Sequence, residues 1–165
     1  MELKLLNKEE LTELYNAELV FDFPKSELKP VRSMHRLMDM GVYEPMLEEE
    51  LDNLCACFIV AEGEDGSVLG YAGLHVAVDE GYIDNIAVRE EYRRQGVGEA
   101  LLGAFIRYGT EKLAFLTLEV RPSNEPAIQF YMKHGFVQVG RRKNFYSAPK
   151  EDALLMTLEF KKAET

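Results

Sequence analysis

Apolar and polar positions follow two rhythms along the 165 residues, and the change of rhythm divides the chain near residue 54. Residues 2–6 read as a short strand, after which the spacing becomes helical. Asn7, with Glu10 three positions on, approaches a capping box, and Leu11, Leu14, Tyr15 and Leu19 form one apolar stripe. Phe21-Asp22-Phe23-Pro24 ends that helix. A second follows Pro30, with Met34, Leu37 and Met38 aligned until Gly41, and residues 46–53 add a short acidic turn.

From residue 55 the texture is that of strands. Residues 55–62 and 68–78 flank a hairpin loop, Gly63-Glu64-Asp65-Gly66-Ser67, and residues 81–88 give a third strand. A helix over 96–109 would bury Val97, Ala100, Leu101, Ala104 and Phe105. Residues 115–120 return to strand. Asn124 caps a helix that starts at Glu125-Pro126 and stops at His134-Gly135. Residues 136–146 and 153–160 close the chain as two strands. The order predicts one α/β (α+β) domain over residues 1–165. Its sheet is central, mixed, mostly antiparallel and twisted, with about seven strands and about four flanking helices. The strand–helix–strand unit around residues 82–120 is the expected parallel, right-handed crossover. Ligands in such sheets gather where strands diverge at their carboxyl ends.

Composition narrows the class. Apolar and charged fractions of 47% and 29% are those of a soluble globular domain. An acid at position 2 and the absence of a long apolar run predict no signal peptide, no membrane association and a cytoplasmic protein. Cys55 and Cys57 are too few for a zinc site, no metal is expected, and both are read as buried reduced thiols. Net charge is −10, and all of the excess acid lies in residues 1–65, with 16 acids against 6 bases. No face is basic enough to favour nucleic acid as a direct partner. The asymmetry suits an anionic cofactor in one half and a cationic partner in the other, and a merely solubilising acidic surface is the equal alternative.

The chemistry concentrates in residues 86–98, Ile-Ala-Val-Arg-Glu-Glu-Tyr-Arg-Arg-Gln-Gly-Val-Gly. Two glycines at a helix start let a ligand approach backbone N–H groups at the positive end of the helix dipole. Arg93 and Arg94 add forked donors that suit phosphate. A nucleotide P-loop needs Lys and Ser or Thr after the glycines, where Glu99-Ala100 stand. A dinucleotide fingerprint needs a third glycine at residue 101, which is Leu.

What remains, Arg93-Arg94-Gln95-Gly96-Val97-Gly98, resembles the acetyl-CoA loop of the GNAT acetyltransferases, Gln/Arg-x-x-Gly-x-Gly/Ala. A second block strengthens the likeness: Leu118-Glu119-Val120-Arg121-Pro122-Ser123-Asn124, Ala127, Tyr131, Gly135-Phe136, Arg141-Arg142-Lys143, Phe145-Tyr146 and Glu151-Asp152-Ala153. These are similar to the RimI group, which acetylates protein N-termini. The resemblance implies a GNAT fold, with residues 1–54 as acceptor-side helices and 55–160 as the acetyl-CoA-binding and catalytic core. It implies acetyl-CoA as co-substrate and a protein N-terminus as acceptor. A small amine, such as a polyamine or an amino acid derivative, is the alternative acceptor, and a non-catalytic acetyl-CoA-binding module is an alternative of another class.

By the same resemblance Glu119 is the base and Tyr131 the acid, although a surface glutamate paired with Arg121 or a neighbour and a core tyrosine are the plainer readings. Ile86, Ala87 and Val88 offer backbone groups to the coenzyme arm, as an added strand would. Arg93, Arg94, Gly96, Val97, Gly98 and Glu99 surround the pyrophosphate, and Asn124 contacts the arm or caps its helix. Tyr146 faces the acceptor. Many relatives carry Tyr-Tyr where this chain has Phe145-Tyr146, and Phe-Pro-Trp-Ser where it has Phe23-Pro24-Lys25-Ser26. His35, His75 and His134 are read as structural or surface residues.

Overall fold

A computed structural model describes residues 1–6 and 55–160. The helices expected between residues 7 and 53 lie outside the described residues, as does the proposed wall of the acceptor site. The described chain forms β1 (Glu2–Leu6), β2 (Ala56–Glu62), β3 (Val68–Ala77), β4 (Glu80–Val88), α1 (Val97–Lys112), β5 (Phe115–Val120), α2 (Glu125–Lys133), β6 (Val137–Ser147) and β7 (Lys150–Glu159). A single 3₁₀ turn, Glu90–Tyr92, links β4 to α1.

All seven strands join one sheet in the order β1-β2-β3-β4-β5-β7-β6. Only β4 and β5 run parallel, and every other neighbouring pair is antiparallel. This is the mixed sheet that the pattern of elements predicted. The strand alternation explains the core. In β5, Leu116, Leu118 and Val120 are buried, while Thr117 and Glu119 sit on the opposite face. Phe105 and Leu101 of α1, Leu74 of β3, Phe136 and Met156 of β7 complete the same apolar cluster.

Two expectations need correcting. The helix α1 does not stop at Gly109 but runs three residues further, to Lys112. A Cβ on Gly109 would stand 2.3 Å from the Phe160 ring. That glycine therefore makes room for a close contact within the helix. Cys55 also departs from the reading, because it precedes β2 and is exposed, whereas Cys57 is buried. Burial pushes the Cys57 thiol well above its ordinary range.

The site is prepared by a fault in the sheet. Pairing of β4 with β5 ends at Ile83 and Leu118. On the other side of β4, Gly73 and Leu74 of β3 meet Asn85 and Ile83, so Asp84 is an extra residue and β4 bulges there. The Asp84 carboxylate accepts a hydrogen bond from the His75 ring on β3, and this contact spans the bulge. Beyond it, residues 86–88 keep β3 as a partner but turn their other edge away from β5. Two parallel strands have splayed apart, leaving backbone groups exposed in the gap.

Candidate active site

The splayed ends of β4 and β5 open into a cleft of about 980 Å³. Ile86, Ala87 and Val88 form one wall, and Arg93, Arg94, Gly96, Gly98 and Glu99 form the second. Asn124 and Tyr131 reach it from the opposite side. Ten of the eleven expected donor-side residues, with the catalytic candidate Tyr131 counted among them, thus meet around one space. Val97 is the exception. Its side chain is only 3% exposed and packs into the core, leaving its backbone N–H as the group that can face a ligand.

The turn between β4 and α1 is shaped for an anion. Arg94 has φ 59° and Gly96 has φ 83°, both left-handed, the kind of backbone that builds concave N–H sites for anions. Arg93 folds back and its Nε donates to the Val88 carbonyl at 3.2 Å. Gln95 donates from Nε2 to the Glu91 carbonyl at 2.8 Å. Both side chains therefore brace the loop they sit in. No side chain caps Gly96, and the first intrahelical bond comes from the Ala100 N–H to the Gly96 carbonyl at 2.9 Å. The N–H groups of residues 97–99 precede that bond and have no partner within the helix. A Cβ on Gly96 would have its nearest neighbour, Glu99 Oε2, 3.9 Å away. The space a side chain would fill is the space a pyrophosphate needs, so the residues present fit the coenzyme. Glu99 itself turns its carboxylate to an ion pair with Lys133 on α2, which offsets an acid at the mouth of an anion site.

Asn124 does cap α2. Its Oδ1 accepts the Ala127 N–H at 3.3 Å while the residue also lines the cleft. At the far end Gly135 (φ 90°) closes the helix, with Phe136 N–H donating to the Tyr131 carbonyl at 3.1 Å. Sequence reasoning missed Pro126, Ala127 and Phe130, which also line the cleft. Ala127, Phe130 and Tyr131 share helical spacing, and that stripe alone could have revealed them.

Tyr131 is 9% exposed. Burial, and to a lesser degree the neighbouring Tyr146, push its phenol up to about 12. Tyr146 is in turn raised first by burial, then held back by Arg121 and raised again by Glu119 and Glu151. Tyr146 thus influences Tyr131, and Glu119 influences Tyr146, but of the three only Tyr131 lines the cleft. Glu119 does not pair with Arg121, the partner weighed for it on sequence. Its Oε1 lies 3.2 Å from Nη1 of Arg142 on β6. Arg121 goes instead to Glu151, at 3.3 Å.

Tyr146 and Arg142 flank a bulge in β6, because Arg142 faces Ala153 and Tyr146 faces Glu151 on β7. Asp152 holds the bulge: it accepts the Asn144 N–H at 2.8 Å, where φ is 52°, and Arg141 Nε at 2.7 Å. The irregular strand thereby turns both Arg142 and Tyr146 toward the Glu119 side of the sheet. His75 and His134 serve locally, His134 Nδ1 lying 2.8 Å from the Phe130 carbonyl. His35 lies outside the described residues.

A splayed parallel strand pair with a glycine turn at its mouth makes a cleft that suits an extended, phosphorylated ligand. Residues 9–136 match the model of the Acetyltransferase (GNAT) family, and the chain belongs to that family. It is 41% identical over 125 residues to an N-alpha-acetyltransferase of Sulfurisphaera tokodaii, covering 66% of this chain and 72% of that protein. Against the ribosomal protein bS18-alanine N-acetyltransferase of Escherichia coli K12 it is 40% identical over 98 residues, covering 58% and 66%. The crystal structure of the ribosomal-protein-S18-alanine N-acetyltransferase from Escherichia coli superposes with a TM-score of 0.68 at 32% identity, covering 74% and 80%. Among the described residues no helix is long and apolar enough to cross a membrane.

Proposed function

We propose that this GNAT enzyme transfers the acetyl group of acetyl-CoA to the N-terminal α-amine of a protein, by direct attack and without an acyl-enzyme. The observation that carries the mechanism is Tyr131 lining the cleft as a protonated phenol, with Tyr146 near enough to influence it and Glu119 near enough to influence Tyr146. The likeness to N-terminal acetyltransferases from Sulfurisphaera tokodaii and Escherichia coli supports the class of acceptor.

Acetyl-CoA supplies an activated thioester carbonyl. The open edge of residues 86–88 donates and accepts along the coenzyme arm, as a neighbouring strand would. The turn at residues 93–99 receives the pyrophosphate on backbone N–H groups, and Arg94 adds charge at its rim. Asn124 both caps α2 and meets the arm. Glu119 takes the proton of the attacking amine, directly or through water. As the N–C bond forms and the C–S bond breaks, the Tyr131 hydroxyl protonates the departing sulfur. A phenol pushed up to about 12 is fully protonated at neutral pH, the state that role requires. Tyr146 orients the acceptor. Residues 1–54 form the acceptor-side part of the same domain, and residues 55–160 its coenzyme and catalytic part.

The decisive experiment offers acetyl-CoA with alanine-starting peptides against a panel of small amines, including polyamines. Peptide acetylation at the α-amine with little turnover of small amines is expected. Preference for a small amine would overturn the acceptor assignment, and coenzyme binding without turnover of either would overturn catalysis.

A further inference from the structure

Arg121 is the first residue beyond β5, and none of the catalytic steps above uses it. Its guanidinium nevertheless has four partners. Nη2 donates to the Ala148 carbonyl at 3.2 Å, and Nη1 donates to the Pro149 carbonyl at 3.0 Å and to Glu151 Oε2 at 3.3 Å. The guanidinium carbon lies 3.9 Å from the centroid of the Tyr146 ring. Two carbonyls and a carboxylate take its donors while a ring covers its face. A lysine ammonium cannot reproduce that set, because its donors are not planar and forked.

Glu151 extends the arrangement. Its Oε1 accepts the Ser123 N–H at 2.7 Å and its Oε2 accepts the Ser123 hydroxyl at 2.8 Å. Ser123 stands immediately before Asn124, the cap of α2. One ion pair therefore joins the end of the Glu119 strand, the β6–β7 hairpin that carries Tyr146, and the loop that launches the Tyr131 helix. Arg121 and Glu151 side chains are 28% and 19% exposed, so the pair is partly shielded from screening.

We propose that Arg121 is a positioning residue for the acceptor: it fixes the Tyr146 ring and, through Glu151, locks the acceptor-side hairpin onto the loop that opens α2. The proposal rests on Tyr146 facing the acceptor, as proposed above. A staple with no further role would lower stability and depress every kinetic parameter together. A positioning residue raises KM for the acceptor and leaves the coenzyme largely unaffected.

The test uses the full chain, acetyl-CoA and an alanine-starting peptide. Arg121→Lys keeps the charge and guards against misfolding, and Arg121→Ala removes it. Each is expected to raise peptide KM about tenfold or more, the loss of one charge-assisted hydrogen bond, with acetyl-CoA KM within about twofold. Combining Arg121→Ala with Tyr146→Ala is expected to be no worse than Tyr146→Ala alone. A substrate-free readout accompanies the kinetics: alkaline ultraviolet titration, with Tyr146→Phe as the reference that isolates this phenol. Loss of the adjacent cation moves Tyr146 upward. Additive kinetic losses, or equal rises in both KM values, overturn the proposal. An unmoved titration overturns the hold of Arg121 on the ring. An unchanged peptide KM in Tyr146→Ala overturns the acceptor role of Tyr146, and the proposal with it.

Discussion

Oε1 of Glu119 lies 3.2 Å from Nη1 of Arg142, so a cation from the edge strand holds the carboxylate proposed as the catalytic base. The Arg142 guanidinium also lies 5.7 Å from the centroid of the Phe145 ring, which gives it a second support on its own strand. At 56% and 30% side-chain exposure the ion pair contributes little to stability, and its value is directional. Glu119→Gln keeps an acceptor for Arg142 but cannot take a proton. Its kcat is expected to fall about 100-fold, with unfolding free energy changed by less than about 0.5 kcal/mol. Stopped-time acetylation and denaturant unfolding measure the two. An unchanged rate with an unchanged pH profile would remove Glu119 as the base.

Tyr131→Phe separates acid chemistry from binding. Burial holds the phenol at about 12, so it donates throughout the neutral range. The variant should lose about 100-fold in kcat while acetyl-CoA affinity by calorimetry stays within about twofold. The same shift carries a stability signature. A folded phenol raised above its unfolded value gives stability that is complete below about pH 10 and is lost as pH rises through about 12. Over that window the loss amounts to at most about 2–3 kcal/mol. Tyr131→Phe should flatten the alkaline decline in Tm, and an equally steep decline would show that the group is not buried in solution.

The alternation of residues 115–120 and the cap at Asn124 were legible because both depend on local rules, side-chain period and a backbone N–H in reach. The glycine turn was legible because its backbone conformation restricts residue type locally. What could not be read is long-range. The Asp84 bulge depends on pairing with Gly73 eleven residues earlier in the chain, across a hairpin. The helix was expected to end at Gly109, and the Phe160 ring that closes on that glycine arrives 51 residues later. The partner of Glu119 was open for the same reason: Arg121 is near in sequence, yet Arg142 is near in space because β6 bulges.

Glycine replacements distinguish two ways of losing the coenzyme. At Gly96 a side chain has room, since nothing comes within 3.9 Å of a Cβ, but φ of 83° penalises it by about 1–2 kcal/mol. Gly96→Val should therefore abolish measurable acetyl-CoA binding, by filling the cleft, with only that moderate loss of stability. At Gly70 the situation reverses. A Cβ there would stand 2.7 Å from the Ala87 carbonyl and 3.1 Å from Val97, neither of which gives way easily. Gly70→Ala should cost about 1–3 kcal/mol and weaken acetyl-CoA binding by displacing residues 86–88, although Gly70 does not line the cleft. Calorimetry and thermal melts compare the pair. Full coenzyme affinity in Gly96→Val would discard the loop as the pyrophosphate site.

The β6 bulge supplies an acid-side prediction. Asp152 is held below its ordinary value first by the Asn144 N–H and then by Arg141, and Glu151 first by the Ser123 N–H. A depressed folded carboxyl gives stability that is present above the ordinary carboxylate range, about pH 4–5, and is lost as pH falls through the lowered value. Protonation releases the left-handed turn at Asn144 and the grip of Glu151 on Ser123. Hydrogen exchange of the 140–152 amides should accelerate below about pH 4 before the α1 amides do, because α1 is held to the sheet by buried apolar side chains such as Leu101, Leu102 and Phe105. Asp152→Asn should shift this opening to neutral pH and raise peptide KM, since Tyr146 is carried on the same bulged strand. Simultaneous loss of protection in the hairpin and α1 would instead mean that the bulge belongs to the same cooperative unit as the core.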